Sequence, residues 1–348
     1  MAATLAPAQA RLLAEGTVIP AHPLALAADR TLDVPAQRAL TRYYAASGVG
    51  GVAVGVHTTQ FAIHDPGSKL LEPVLSIAAE TLDHLHLDRP FLRIAGACGP
   101  LEQAVAEAEL AASLGYHAVL LSPTRGDEST LLARAAAVGE VLPVIGFYLQ
   151  EAVGGRYLGL EFWRQLADQP GVVAVKLAPF DRYRTLEAVR GIAASDRGAD
   201  VAIYTGNDDA IITDLLTPYD LGDGMRRHVV GGLLGQWAVW TSAAVAIFDL
   251  ARRARSGDAA ALAEVLGRSA GLTDANGAVF DVRNHFHGCV PGINAVLHQQ
   301  GLLRSPLCLD PAENLSPGQA AEIARVRERY PWLIDDDFVL EHLAEWLG

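Results

Sequence analysis

Val172-Val173-Ala174-Val175-Lys176-Leu177-Ala178 is the stretch whose reading decides the fold. It is a short apolar run rich in β-branched residues, with Gly171 before it and Pro179 after it. That is the pattern of a strand buried on both faces of a parallel sheet. One lysine interrupts it. Lys69 and Lys176 are the only two lysines among 27 basic residues, so the other 25 are arginine. In such a chain a lysine inside a hydrophobic strand is not a generic surface cation. Full burial pushes a lysine pKa down by roughly 3–5, leaving a neutral amine available at pH 7 for Schiff-base chemistry. The competing reading is an ammonium that snorkels out of the strand end or pairs with a carboxylate.

Seven further runs of the same kind flank this one, at 17–22, 51–57, 91–98, 117–122, 143–149, 201–205 and 228–233. Each is followed by a helical pattern. Residues 100–115 open on Pro100 and close on Gly115, with Leu101, Val105, Ala108 and Ala112 at helical spacing. Residues 181–195 place Tyr183, Leu186, Val189 and Ile192 on one side. Eight such repeats predict an α/β fold, a closed (β/α)8 TIM barrel over residues 1–255, with a closing helix at 236–255. The alternative is an open doubly wound sheet, but no G-x-G-x-x-G follows the first strand. Residues 256–348 read as a C-terminal helical extension, broken at Gly271, Asn276-Gly277, Pro291-Gly292 and Asp310-Pro311.

The bulk numbers narrow the function. With 51% hydrophobic and 19% charged residues in 348, the chain can build a sizeable core and is not disordered. A formal net charge of −13 argues against nucleic acid and anionic membrane surfaces as partners. Cys98, Cys289 and Cys308 are far apart with no CxxC, the usage expected of thiols in a reducing cytosol. The first sixteen residues include Arg11 and Glu15 and lack an apolar h-region, and no run has the roughly 18 apolar residues of a membrane span. A soluble cytoplasmic protein is expected.

Barrel chemistry sits at the C-terminal ends of the strands. Those ends offer His22, then His57-Thr58-Thr59-Gln60, Cys98, and Ser122-Pro123-Thr124-Arg125; beyond them lie Tyr148, Gln150, Lys176, Thr205-Gly206-Asn207-Asp208-Asp209 and Gly231-Gly232. Strand parity groups Lys176 with the small residues Ala174 and Ala178, away from bulky Val173, Val175 and Leu177, so Lys176 is expected to face the barrel interior. The same argument sets Gly146, Tyr148 and Gln150 against bulky Ile145, Phe147 and Leu149, and directs Tyr148 inward as a general acid and base. Its competing role is a packed tyrosine with a satisfied hydroxyl. Thr58-Thr59 can hold a carboxylate through hydroxyl and backbone N–H groups, or simply cap a turn. Asn207-Asp208-Asp209 reads as a helix N-cap with first-turn acids. His285-Phe286-His287 has no third metal ligand at suitable spacing, and no metal or other cofactor is expected.

These residues together resemble a known family. Thr58-Thr59 after the second strand, Pro143-Val144-Ile145 leading to an aromatic in the fifth, Val173-Ala174-Val175-Lys176 in the sixth and Gly206-Asn207-Asp208-Asp209 after the seventh are similar to the motifs of the dihydrodipicolinate synthase / N-acetylneuraminate lyase family. The resemblance spans roughly residues 17–255. It implies a class I aldolase or lyase, acting on pyruvate or another 2-keto acid and assembling as a homodimer or homotetramer. By motif position Lys176 becomes the imine lysine, and Thr58 and Thr59 the carboxylate site. Several positions depart from the pattern. Gln60-Phe61 replace the Gly-Glu after the threonines; the Tyr-Asn pair falls on Phe147-Tyr148; the distal arginine falls near Ala152, with Arg156 as a substitute; Thr124-Arg125 replace the tyrosine donated across the dimer.

The expected function is a divergent Schiff-base lyase for a 2-keto acid or sugar acid. Lys176 forms the imine, Tyr148 relayed through Thr59 moves protons, and Thr58 and Thr59 hold the carboxylate. Arg125 or Arg156 orients a distal anionic group, with Gly206 and Asn207 lining the substrate site. Two rivals stand beside it: a non-catalytic carboxylate-binding protein on the same barrel, and a metal-dependent hydrolase. The hydrolase is disfavoured because Ala21-His22-Pro23 replaces the usual His-x-His of the first strand.

Overall fold

A computed structural model describes residues 1–222 and 224–348. Among the described residues the strands are β1 (Val18–Pro20), β2 (Gly51–Val54), β3 (Leu92–Ala97), β4 (Ala118–Leu121), β5 (Val144–Leu149), β6 (Val172–Ala178), β7 (Ala202–Thr205), β8 (Tyr219–Asp220), β9 (Arg226–Arg227) and β10 (Gly231–Leu234). Eight of them form one sheet in the order β1-β10-β7-β6-β5-β4-β3-β2. A parallel bridge between Ala21 and Ala53, with the His22 N–H on the Ala53 carbonyl at 2.8 Å, joins the first strand to the second and closes the ring. The fold is the (β/α)8 barrel that the eight apolar runs predict, followed by a helical extension. β8 and β9 form a separate two-stranded hairpin. No helix among the described residues is long and apolar enough to cross a membrane.

The chain divides into two compact units, Met1–Thr17 with Arg89–Leu233, and Val18–Asp88 with Leu234–Gly348. In the first unit the β3–β4, β4–β5, β5–β6 and β6–β7 pairs are all parallel. Their residues are almost wholly buried, because one face meets the barrel interior and the other meets helices such as Leu160–Asp168. An additional helix, Pro7–Glu15, precedes β1. It opens on a proline, which loses no hydrogen bond at a helix start, and its Leu13 carbonyl accepts the Tyr204 hydroxyl at 2.8 Å.

In the second unit the closing segment is a 3₁₀ turn (Gln236–Ala238) followed by the Thr241–Arg255 helix. The extension holds helices Ala259–Val279, Cys289–Gln299, Gln319–Arg329 and Asp336–Leu347. Three of the breaks expected there are not breaks. Gly271 and Asn276-Gly277 lie within one helix, and Pro291-Gly292 within another. Two of these glycines serve close packing. A Cβ on Gly271 would meet the Tyr330 ring at 2.8 Å, and one on Gly292 the Val279 carbonyl oxygen at 1.9 Å. Pro291 sits in the first helical turn, where a proline is tolerated. Asp335 ties three elements of this unit together. It accepts the Tyr43 hydroxyl at 2.8 Å, the Ser242 N–H at 3.0 Å and the Gln300 amide at 2.8 Å.

Candidate active site

β6 carries Lys176 toward the barrel interior, and three observations fix that orientation. Lys176 is only 8% exposed. Its Nζ lies 4.3 Å from the centre of the Phe147 ring. The third is Gly206, where a Cβ would stand 2.5 Å from Lys176 Cε and 2.7 Å from Ala178 Cβ. Glycine at 206 is therefore demanded by the path of the lysine stem. In register, Lys176 pairs with Phe147 on one side and Tyr204 on the other.

The orientation of β5 is the reverse of the sequence expectation. Phe147, not Tyr148, stands beside the amine. Tyr148 packs on Trp163 of the Leu160–Asp168 helix with ring centres 4.9 Å apart, and its hydroxyl is 3.5 Å from the Leu158 N–H. Burial raises its pKa. Gly146 points the same way, since a Cβ there would meet Leu166 of that helix at 2.7 Å. The small residue of β5 thus makes room for a closely packed helix, whereas on β6 the small residues line the interior. A register irregularity between Val144 and Ile145 accompanies this phase.

The turn after β7 is a structural knot. Asn207 donates to Thr185 Oγ1 at 3.1 Å and to Asp214 Oδ2 at 3.0 Å, and accepts the Phe180 N–H at 3.0 Å. Asp214 is fully buried and also takes the Thr205 hydroxyl at 2.6 Å and the Arg182 guanidinium. The Asn207 side chain, expected on substrate, makes these three bonds within the fold. The capping reading also falls, because the Ile211–Leu216 helix starts after Ala210 with no side-chain cap. Phe180 adopts φ 51°, a left-handed conformation that costs a bulky residue energy, and its N–H is held by Asn207.

The arginines occupy the loops after β4 and β5. Arg125 is exposed at φ 67°, and Arg156 is half-buried and donates to the Gly126 carbonyl. Sequence reasoning missed Arg134, which is 1% exposed and donates to the carbonyls of Gly99, Ser122 and Thr124. It braces the loops after β3 and β4; burial lowers its pKa.

In the second unit Thr58 and Thr59 sit in a 3₁₀ turn after β2, and they differ in kind. The Thr59 hydroxyl donates to the His22 carbonyl at 2.6 Å and accepts the N–H groups of Gly55 and Val56 at 3.0 and 3.2 Å. Its single proton lies on the His22 carbonyl. Thr58 is buried, at 3% exposure. Its hydroxyl lies 3.7 Å from where a Cβ on Gly235 would be, and the Phe280 ring is 3.3 Å from the same point.

Beneath this turn lies a buried histidine whose role the sequence did not reveal. His22 is 0% exposed; its Nε2 is 2.9 Å from Thr41 Oγ1, and its Nδ1 is 2.8 Å from the Pro23 carbonyl. Burial lowers its pKa to about 4, so it is neutral at pH 7. Thr41 Oγ1 in turn donates to the Gln37 carbonyl at 3.2 Å, and the Gln37 amide nitrogen lies 3.1 Å from Nδ1. Gln60, in the position of the family's Gly-Glu, accepts the Leu309 N–H through Oε1 at 2.6 Å. Among the described residues no group of three or more His, Cys, Asp or Glu side chains is placed to hold a metal ion.

No family model matches the chain, and no curated protein matches it. Solved structures do. CdNal from Clostridium difficile in complex with mannosamine is 17% identical, with TM-score 0.71, over 90% of this chain and 99% of that one. An N-acetylneuraminate lyase from Fusobacterium nucleatum complexed with pyruvate is 17% identical, with TM-score 0.71, over 91% and 98%. A prophage protein of the dihydrodipicolinic acid synthase family from E. coli, in complex with pyruvate, is 17% identical, with TM-score 0.73, over 90% and 98%. Across nearly its whole length, then, this chain has the fold of the dihydrodipicolinate synthases and N-acetylneuraminate lyases, the family its strand-end motifs resemble.

Proposed function

We propose that the protein is a Schiff-base-forming lyase or aldolase acting on pyruvate or another 2-keto acid, with Lys176 as the imine nitrogen. The observation that carries this reading is a buried lysine amine near the C-terminal end of β6, beside the Phe147 ring and against Gly206 and Ala178. Lys176 gives up its ammonium proton, and the neutral amine so formed attacks the keto carbon. The carbonyl oxygen takes two protons and leaves as water, and the nitrogen keeps one proton as an iminium. In a longer acid with a hydroxyl on C4, that hydroxyl gives up its proton and becomes the carbonyl of a released aldehyde as the C3–C4 bond breaks and its electron pair passes into the iminium as an enamine; with pyruvate the same enamine forms by loss of a C3 proton. Protonation of the enamine and hydrolysis return the shorter keto acid and the lysine.

Thr58, buried in the turn after β2, is the proposed donor to the substrate carboxylate; Arg125 and Arg156 are proposed for a distal anionic group. Phe147 occupies the place on β5 facing the amine, so the proton transfers fall to water and the substrate carboxylate rather than to Tyr148. Borohydride reduction in the presence of pyruvate and a panel of sugar-derived 2-keto acids, followed by peptide mass analysis, tests the proposal. A reduced adduct on the Lys176 peptide is expected; its absence with every acid rejects the reading.

The absence of a phenol on the Lys176 face of β5 favours a second reading, a carboxylate-binding protein without turnover. Thermal stabilisation by keto acids with neither adduct nor product would select it.

A further inference from the structure

We propose that the face of the Phe147 ring is the seat of positive charge on Lys176, holding the nitrogen as ammonium in the free protein and as iminium in the adduct. The second half rests on the function proposed above; the first half does not. Nζ lies 4.3 Å from the ring centre, well inside the roughly 6 Å over which an aromatic face attracts a cation. The ring cannot drift away. Phe147 is 5% exposed and is fixed opposite Lys176 by the β5–β6 register. The lysine stem is confined in turn, because its Cε and Cγ crowd the space where Gly206 carries no Cβ. A desolvated site penalises a cation, and a quadrupole face offsets that penalty without adding a proton carrier or a counter-ion.

The offset has a chemical consequence. An iminium works as an electron sink only while it stays protonated. A tyrosine in this place would carry a hydroxyl that exchanges protons, whereas a phenylalanine supplies charge stabilisation alone. The ionisable groups on the elements beside β6 are Tyr204 on β7, whose hydroxyl donates to Leu13, and Asp208 and Asp209 in the turn after β7. Tyr148 on β5 lies on the opposite face, and Asp181 follows β6 as the cap of the next helix. Any of these can set the baseline pKa of the amine. Phe147, with its ring centre 4.3 Å from Nζ, adds a dependence on the electron density of that ring.

Fluorinated phenylalanines test the idea with little change of shape. Full-length protein is labelled at lysine Cε and Nζ, which gives two lysine signals, and Lys69→Arg assigns the one from Lys176. The Lys176 signal is titrated with phenylalanine and with 4-fluoro-, 3,5-difluoro- and 3,4,5-trifluorophenylalanine at position 147. The apparent pKa is expected to fall at each step, by up to about one unit across the series, a tenfold change in proton affinity. Asp209→Asn and Tyr204→Phe are expected to move the baseline and leave the slope intact. A flat series, or a slope that vanishes with Asp209→Asn, overturns the proposal. Melting temperatures held constant across the series exclude misfolding as the source of the trend. Borohydride trapping with pyruvate is run in parallel: a sloping titration without any adduct rejects the Schiff-base function and keeps the ammonium seat, while an adduct with a flat titration does the reverse.

Discussion

Protonation of His22 is expected to unlatch the turn that carries Thr58 and Thr59. The imidazole is buried and neutral with a pKa near 4, against 6.5 for the free side chain. Because the folded value is the lower one, the unfolded chain takes up the proton first as pH falls. The stability contributed by neutral His22 is therefore fully present above pH 6.5 and is lost progressively toward pH 4. Integrating over that window gives a loss of about 2 kcal/mol by pH 5 and about 3 kcal/mol by pH 4. The reference is His22→Gln, which keeps a polar side chain but does not titrate and is expected to cost about 1–3 kcal/mol at pH 7. Chemical unfolding of both proteins from pH 7 to pH 4, followed by tryptophan fluorescence, reads the difference, and the carboxylates common to both cancel. The wild-type advantage should shrink by about 3 kcal/mol across the range. Parallel curves, with a gap independent of pH, would refute the assignment of a buried neutral imidazole. Keto-acid binding should fade over the same window, since the Thr59 hydroxyl hangs from the His22 carbonyl.

Three substitutions probe the rest of the site. Gly206→Ala forces a methyl group against Lys176 Cε and Ala178 Cβ; it is expected to cost about 1–3 kcal/mol in denaturant unfolding and to abolish borohydride trapping by displacing the amine. Tyr148→Phe should leave trapping within about twofold of wild type, because the ring rests on Trp163 and the hydroxyl sits too far from Leu158 for a strong bond; a tenfold loss would restore the phenol to the mechanism. Thr58→Val and Thr59→Val should separate. The first is expected to weaken keto-acid binding measured by calorimetry at nearly unchanged stability. The second, which strands the Gly55 and Val56 N–H groups and the His22 carbonyl, is expected to lower stability by about 2–4 kcal/mol.

The barrel was legible because parallel strands covered on both faces must be apolar throughout, and eight such runs recur at βα spacing. Every one of them corresponds to a barrel strand within a few residues. Lys176 was legible for the same reason, as the one charged residue in its run. Tyr148 was misplaced because alternation along a strand distinguishes two faces without saying which is inner. Small residues line the interior on β6, yet on β5 the small residue, Gly146, faces a helix that packs close. Thr58 and Thr59 look alike in sequence and differ only in what surrounds them.

The sequence alone determined a repeating βα chain, a lysine set inside an otherwise apolar strand, and a formal net charge of −13. Those properties are local sums over composition and spacing, so no partner is needed to read them. Tertiary structure alone decided that phenylalanine meets the amine, that Asn207 serves Asp214 and Thr185, and that a neutral His22 holds the Thr59 turn. Each of these depends on a residue distant in the chain, brought near by pairing register, helix packing or burial, none of which a linear pattern encodes.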